Sequence, residues 1–204
     1  KKVTMLTDKL DRSASEFAWG IDSKELYFTA NDSGYNEIYS VSIEDSVIKK
    51  MTYKTYNRNI SLAGNGRYLL MLRESFKMPP DIYRKDLQSG KIQRLTSHNS
   101  EKLNDRDMGN YEEFSFASKD GTKIHGFFIF PPSFNPKKRY PWLYLIHGGP
   151  QWAWSSNFHP RWNAQMFALP GYVVVEINPR GSTGYGQDMT DQISKDWTGK
   201  VAED

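Results

Sequence analysis

The sequence contains no cysteine and no run of 18 apolar residues. The first absence excludes a disulfide framework and a thiolate metal site, and the second argues against a membrane-spanning helix. No apolar segment follows the basic residues at the start, so we expect that any secretion signal has already been removed. The compartment stays open between periplasmic, secreted and cytoplasmic, because large secreted proteins also fold without disulfides.

The chain also has little net charge and few histidines. Lysine and arginine number 27 against 24 aspartate and glutamate, a balance of +3, and the one tight basic cluster is Lys137-Lys138-Arg139. Such a cluster between strands is more typical of a solvated loop than of a phosphate contact, so nucleic-acid binding is unsupported. No two of the four histidines have zinc-ligand spacing, so we expect neither a metal nor another cofactor.

What the first half does contain is a repeated β pattern. One phrase recurs with its threonines 45 and then 44 residues apart, as Val3-Thr-Met-Leu-Thr7, Ile48-Lys-Lys-Met-Thr52 and Ile92-Gln-Arg-Leu-Thr96. Periods of about 40–45 residues with four short strands are typical of a β-propeller blade. The alternative is an ordinary meander with chance similarity. We predict that residues 1–105 are the last blades of a propeller whose ring is completed upstream.

The pattern changes after residues 97–110, a polar stretch that we interpret as a linker. Two antiparallel strands are predicted next, followed by a buried strand at 143–146, a helix around 161–168 and a buried strand at 172–177. This strand–helix–strand spacing predicts a right-handed crossover into a mostly parallel sheet. Residues 106–204 are therefore predicted to be the N-terminal part of an α/β-hydrolase domain, which makes the fold class mixed.

The most informative motif is His147-Gly148-Gly149-Pro150, directly after the predicted strand at 143–146. In α/β-hydrolases, a strand followed by a glycine pair and a helix aims a backbone N–H at a developing oxyanion. The alternative is that both glycines serve only the turn. Ser182 fits a nucleophile elbow poorly, because Arg180 stands where the elbow needs glycine, so we interpret Ser182 as a structural turn residue.

Several motifs together resemble the prolyl oligopeptidase family of serine peptidases, which place a β-propeller before or around an α/β-hydrolase domain. They are His147-Gly-Gly-Pro-Gln151, Arg161-Trp162-Asn163, Asn178-Pro-Arg-Gly-Ser-Thr-Gly-Tyr-Gly-Gln187 and Asp196-Trp-Thr-Gly-Lys200. The combination is most similar to the branch of acylaminoacyl-peptidases and dipeptidyl-peptidase V. Thr198 departs from it, since glycine is expected there, but this position affects only a turn.

The resemblance implies hydrolysis of short peptides through an acyl-enzyme, with the triad serine, aspartate and histidine all beyond Asp204. On its own this chain would then be inactive, a fragment with the oxyanion loop but not the triad. The resemblance also implies that the Gly149 N–H donates to the oxyanion. His147 is expected to support this loop through a ring hydrogen bond and not to act as the catalytic base.

Other residues near the motif have two interpretations each. Trp152, Trp154 and Trp162 are expected around the loop, where they either line a pocket for apolar substrate side chains or pack between the domains. Arg180 either anchors a substrate carbonyl or pairs with a core carboxylate such as Glu176.

Two further functions compete with a peptidase that acts on oligopeptide substrates. An esterase or lipase uses the same oxyanion loop but typically lacks the repeats, and a non-catalytic propeller-based binding protein leaves the loop unexplained. The strand at 143–146 is predicted to offer an unpaired apolar edge. We therefore expect the isolated chain to aggregate, to form a homo-oligomer, or to exist as part of a longer chain.

Overall fold

Eight strands in the first half of the chain form one sheet built from two antiparallel meanders. The computed structural model describes residues 3–149 and 151–204, so Lys1, Lys2 and Pro150 lie outside the described residues. The strands are β1 (Ala14–Trp19), β2 (Glu25–Asp32), β3 (Tyr35–Ser42), β4 (Ile48–Lys50), β5 (Tyr56–Ala63), β6 (Tyr68–Ser75), β7 (Met78–Asp86) and β8 (Ile92–Arg94). The meanders β1–β4 and β5–β8 meet where Asn36 pairs with Tyr56 in parallel.

Two of the three repeated threonines, Thr52 and Thr96, make matching hydrogen bonds, one in each meander. The Thr52 hydroxyl donates to Glu37 Oε2 at 2.6 Å and accepts from the Ile38 N–H at 2.9 Å. Forty-four residues later, the Thr96 hydroxyl bonds Asp81 Oδ1 at 2.7 Å and accepts from the Ile82 N–H at 2.9 Å. The sequence period therefore reflects a repeated hydrogen-bond site that ties a short fourth strand to the third strand.

The first meander is covered by apolar side chains on both faces. On one face, Tyr27 and Ile38 pack with Leu69 and Met71 of β6. On the other face Phe28 belongs to a second buried cluster. As a result β3 is buried at seven of its eight positions, and its polar side chains must find partners inside the protein.

The second half contains a four-stranded sheet and three short helices. These elements are α1 (Ser100–Asn104), β9 (Tyr111–Ala117), β10 (Lys123–Ile129), β11 (Trp142–Leu145), α2 (Ala164–Ala168), β12 (Val173–Asn178) and α3 (Gln187–Asp191), with a 3₁₀ turn at Lys200–Ala202. The strand order is β11-β12-β10-β9. Strands β11 and β12 are parallel, whereas β12–β10 and β10–β9 are antiparallel. The described part of this sheet is thus mixed and not mostly parallel as the spacing predicts.

The predicted helix at 161–168 is shorter in the structure and begins at Ala164. His159 Nδ1 accepts from the backbone N–H groups of Arg161 and Trp162, which keeps this segment out of the helix. The Asn163 side chain then accepts from the Gln165 N–H at 2.9 Å and caps the first turn. The polar stretch at 97–110, which we interpret as a linker, contains one helical turn, α1.

One apolar core joins the two sheets. Tyr35 at the start of β3 and Phe76 after β6 pack against Phe127 of β10. The Tyr35 hydroxyl also donates to Glu113 Oε1 of β9 at 2.5 Å. Gly34 permits this contact, because a Cβ on it would lie 2.5 Å from the Phe127 ring.

Strand β11 lies at the edge of the second sheet and pairs on one side with β12. Trp142 is 66% exposed and Ile146, directly after the strand, is 75% exposed. This edge is apolar, as the sequence predicts. Within the described residues, no helix has the length and hydropathy needed to cross a membrane.

The threonine site of the first meander gives a stability prediction. Thr52→Ala leaves the buried Glu37 carboxylate and the Ile38 N–H without this partner, which should lower the free energy of unfolding by about 1–3 kcal/mol. Urea unfolding of the protein that contains this chain measures the change. The control is Thr52→Ser, which keeps the hydroxyl; equal stability of the alanine and serine variants would contradict the assigned role.

Candidate active site

The turn after β11 opens onto a cavity of about 520 Å³. Because β11 and β12 are parallel, their carboxyl ends meet at the same edge of the sheet, where α/β proteins usually bind ligands. Residues from both strand ends and from the C-terminal segment line the cavity, among them Tyr144, His147, Gly148, Gly149, Pro179, Arg180, Trp197 and Asp204. We call residues 147–149 the glycine turn.

Gly149 has a backbone conformation that other residues rarely adopt. Its φ is 71°, in the left-handed region, while a Cβ built on it would meet no atom within 4 Å. Conformation and not space therefore requires glycine here. Within residues 3–149 and 151–204, no acceptor takes a hydrogen bond from the Gly149 N–H. A backbone donor of this kind at a cavity wall is suited to stabilise negative charge on a bound carbonyl oxygen.

His147 uses both ring nitrogens within the protein. Its Nε2 lies 3.1 Å from Ser182 Oγ, and its Nδ1 lies 3.3 Å from the Gly148 carbonyl oxygen. A carbonyl oxygen only accepts, so Nδ1 carries the proton and Nε2 accepts from the Ser182 hydroxyl when the ring is neutral. Burial lowers the pKa of His147 and outweighs the opposite effect of the Gly148 contact, which favours this neutral ring.

Ser182 forms a serine–histidine pair with His147 but cannot be a nucleophile that attacks substrate. Its relative exposure is 0%, so no substrate carbonyl reaches its hydroxyl. Gly181 and Gly184 have φ values of 94° and 86°, and the Ser182 N–H donates to the Pro179 carbonyl oxygen at 3.0 Å. Ser182 therefore sits inside a glycine-bounded loop, where its side chain points toward the glycine turn.

The structure separates the three tryptophans. Trp154 is buried, and its indole Nε1 donates to the Leu145 carbonyl oxygen at 2.9 Å, so it braces the end of β11 and does not line the cavity. Trp152 is 40% exposed and lines a second cavity, of about 400 Å³, between the start of the first meander and the segment 183–190. Trp162 stacks on Phe167 of α2, away from both cavities. The expectation that all three surround the loop is wrong for Trp162.

Arg180 pairs with aspartates and not with Glu176. Its Nη2 lies 2.6 Å from Asp204 Oδ1, and its Nη1 lies 2.6 Å from Asp120 Oδ2. The Arg180 and Asp204 side chains are 1% and 0% exposed. Hydrogen bonds to Asp204 raise the pKa of Arg180 against the effect of burial. Burial alone would raise the pKa of Asp204, but the Arg180 hydrogen bonds dominate and lower it.

The guanidinium group of Arg180 therefore forms ion pairs with two aspartates beside the cavity. The Ser118 hydroxyl completes the network, since it lies 2.8 Å from Asp204 Oδ1 and 3.2 Å from Arg180 Nη2. These contacts favour a structural role for Arg180 over the expected anchoring of a substrate carbonyl.

Glu176 of β12 is a buried acid without an ion-pair partner among the described residues. It is 1% exposed, and its Oε2 has no hydrogen bond within the described part of the chain. Its neighbours across the sheet are Leu145 and Phe127, both apolar. Burial raises the pKa of Glu176 to about 8, so the carboxyl is mostly protonated at neutral pH.

Sequence reasoning missed the residues that hold the site together. Asp204 is the main partner of Arg180, and Ser182 is the partner of His147. The sequence identifies Ser182 as a turn residue, but the spacing between Ser182 and His147 does not predict that the two side chains meet. In the described ranges, no group of three or more His, Asp or Glu side chains is placed to hold a metal ion.

Comparisons with known proteins match this chain to a family model and to named peptidases. Residues 157–204 match the model of the prolyl oligopeptidase family. Dipeptidyl-peptidase 5 of Schizosaccharomyces pombe is 34% identical over 201 residues, and Dipeptidyl-peptidase 5 of Aspergillus fumigatus is 31% identical over 212 residues. These alignments cover 95% and 100% of this chain. The segment 157–204 thus belongs to the prolyl oligopeptidase family, and these relatives extend the similarity over nearly the whole chain.

The fold is similar to that of solved acylaminoacyl peptidases. Acylaminoacyl peptidase of Pyrococcus horikoshii has a TM-score of 0.84 and 23% identity over 99% of this chain. An acylaminoacyl peptidase in complex with Z-Gly-Gly-Phe-chloromethyl ketone has a TM-score of 0.83, also at 23% identity over 99% of this chain. The mixed fold, dominated by sheets with few helices, agrees with the expected fold class at that level. The chain spans 28% to 31% of the length of these relatives.

The buried charge network gives a second prediction. Asp204→Asn leaves the buried Arg180 guanidinium without its main counter-charge, which should lower the free energy of unfolding by about 3 kcal/mol or more. Asp120→Asn, on the half-exposed partner, should cost far less, because solvent screens that pair. Urea unfolding of both variants measures the difference, and equal losses would argue against the network.

Glu176 gives a prediction of pH dependence. Its folded pKa of about 8 lies above its ordinary value of 4.5, so its favourable contribution is complete below pH 4.5 and is lost as pH rises through 8. Glu176→Gln should therefore melt at a higher temperature than the unsubstituted protein at pH 8.5, with the gap closing toward pH 4.5. Melting curves across this range measure it, and a gap that widens on acidification would refute the assignment.

Proposed function

We propose that this chain joins the last blades of a β-propeller, residues 1–105, to the N-terminal part of an α/β-hydrolase domain, residues 106–204. The parent protein is then a serine peptidase that releases dipeptides or acylated residues from short peptides. The two meanders with a repeated threonine site support the propeller. The order of β9 to β12 and the cavity at the ends of β11 and β12 support the hydrolase domain.

The observation that carries the proposal is the Gly149 N–H at the cavity wall, which has no acceptor among the described residues. In the proposed reaction a serine hydroxyl attacks the peptide carbonyl carbon while a histidine takes its proton, and the carbonyl oxygen becomes negative. The Gly149 N–H donates to that oxygen. The amine then leaves with a proton from the same histidine, and water hydrolyses the acyl-enzyme.

The nucleophile of this proposal lies in the part of the parent protein that this chain does not span. Among the described residues, His147 and Ser182 form the serine–histidine contact at the cavity, and the burial of Ser182 rules it out as the attacking group. The chain alone is therefore proposed to be inactive. The proteins similar to this chain are named dipeptidyl-peptidase 5 and acylaminoacyl peptidase, and these names support an exopeptidase that acts on oligopeptides.

Trp152 and His147 have secondary roles in this proposal. Trp152 offers a partly exposed indole beside the glycine turn, and its ring centre lies 5.5 Å from that of His147. It is proposed to contact apolar side chains of the substrate. His147 supports the glycine turn through its ring contacts and takes no part in proton transfer to the substrate.

The test replaces Gly149 in the full-length protein. Gly149→Ala places a side chain at a φ of 71° and should turn the N–H away from the oxyanion, which lowers kcat by about 10²–10³-fold with a smaller effect on KM. Hydrolysis of a dipeptide amide and of a simple acyl ester, each carrying a chromophore, measures the loss and separates a peptidase from an esterase.

Gly171→Ala is the matched control. Gly171 also has a positive φ, of 105°, and a Cβ on it would likewise meet no atom within 4 Å, yet it lies in the turn between α2 and β12. This variant should keep its kcat. Equal loss in both variants would reduce the effect to backbone strain, and an inactive full-length protein would favour a binding function.

A further inference from the structure

Ser182 has a position that its role in a turn does not explain. It is fully buried, yet its hydroxyl lies 3.1 Å from Nε2 of His147, a residue of the glycine turn. The two residues come from loops at the ends of different strands, β11 and β12. The hydroxyl therefore connects two loops that the sheet brings together.

The direction of this hydrogen bond follows from the other side of the ring. Nδ1 of His147 faces the Gly148 carbonyl oxygen, which can only accept, so Nδ1 keeps its proton. In the neutral ring Nε2 is then bare, and Ser182 donates to it. The bond thus selects one tautomer and one ring orientation, and that orientation places Nδ1–H on the carbonyl of the peptide that precedes Gly149.

The loop that holds Ser182 is itself firmly held. The Thr190 hydroxyl donates to the Ser182 carbonyl oxygen at 3.2 Å, and the Gly181 N–H donates to the Met189 carbonyl oxygen at 2.8 Å. The Thr183 N–H also bonds the Trp152 carbonyl oxygen at 3.2 Å, on the far side of the glycine turn. Ser182 is therefore a fixed point relative to the residues around the turn.

The glycine turn has few other supports. A Cβ on Gly148 or on Gly149 would meet no atom within 4 Å, so neither peptide is packed against a neighbour on that side. Two indole rings border His147, with the ring centres of Trp152 and Trp154 at 5.5 Å and 6.4 Å, but neither offers it a hydrogen bond. Among the described residues, the side chain of His147 is the main polar link from the turn to the rest of the protein.

We propose that Ser182 is a positioning residue, which fixes the peptide N–H of Gly149 by donating its hydroxyl hydrogen to His147. The inference rests on the proposed role of Gly149 and adds to it a residue from the loop that follows β12. Ser182 does not touch the substrate, and it acts only through the histidine ring.

The test compares Ser182→Ala with Ser155→Ala in the full-length protein. Ser155 is a buried serine of the same region whose hydroxyl makes no hydrogen bond among the described residues, so its loss should leave kcat unchanged. Ser182→Ala should lower kcat about tenfold, less than removal of an oxyanion donor, and should change KM by less than about twofold. In a His147→Ala background, Ser182→Ala should have no further effect, because the residue through which it acts is gone.

A second readout does not depend on activity. The Ser182 hydroxyl stabilises the neutral ring, so its removal should raise the pKa of His147, which burial otherwise lowers. Among the described residues that line the same cavity, the charged groups are Arg180 and Asp204, and they bond each other, so neither adds an unpaired charge to this effect. Carbethoxylation of His147 against pH, followed by peptide mass spectrometry, should give a higher midpoint in Ser182→Ala than in Ser155→Ala.

The outcomes are distinguishable. Equal kcat and equal midpoints in the two serine variants would overturn the inference, as would a full loss from Ser182→Ala in the His147→Ala background. If Gly149→Ala keeps its activity while the midpoint still rises in Ser182→Ala, the proposed function fails and the hydrogen bond stands. If Ser182→Ala does not fold, the unsubstituted protein decides, because a His147 midpoint at or above the ordinary 6.5 would exclude the donated bond.

Discussion

The geometry of the site depends on β12, because this strand holds the chain on both sides of the glycine turn. Before the turn, β11 pairs with β12 in parallel, with Leu145 opposite Glu176. After the turn, the Asn178 side chain accepts from the Trp154 N–H at 2.7 Å and donates to the Trp154 carbonyl oxygen at 3.0 Å. The amide thus imitates a neighbouring strand. With both ends fixed, the short segment between them has a limited range of positions, and the hydrogen bond between Ser182 and His147 adds a further link inside it.

Two buried ionisable side chains near this turn are stabilised in opposite ways. Arg180 stays charged because Asp204 and Asp120 surround its guanidinium group. Glu176 has only apolar neighbours across the sheet, and it becomes neutral instead. Both solutions leave the cavity without an uncompensated carboxylate among the described residues that line it. This matters for the oxyanion site that we propose, because a free negative charge nearby would oppose the donor at Gly149.

The sequence predicts the features that depend on local pattern. The strands at 143–146 and 172–177 lie within one residue of β11 and β12, since short apolar runs between turns identify strands. The predicted burial holds for β12 but is wrong for β11, where Trp142 is 66% exposed and no position is buried. Thr52 and Thr96 mark a hydrogen-bond site that recurs after 44 residues. Contacts between distant residues leave no such pattern: Arg180 meets Asp120 across 60 residues, and His147 meets Ser182 across 35. The sequence also did not predict where α2 begins, because this position is set by the His159 ring and the Asn163 cap and not by the apolar period.

The first sheet contributes to the site through the turn between β2 and β3. Its tip lies against both segments that flank the site: the Ser33 N–H donates to the Gly184 carbonyl oxygen at 2.8 Å, and the Ser156 N–H donates to the Gly34 carbonyl oxygen at 2.9 Å. A Cβ on Gly184 would lie 3.2 Å from the Asn31 backbone, so the loop that contains Gly184 packs closely against the end of β2. A movement of the first sheet away from the second would break these bonds together. The first sheet is therefore part of the framework that positions the glycine turn.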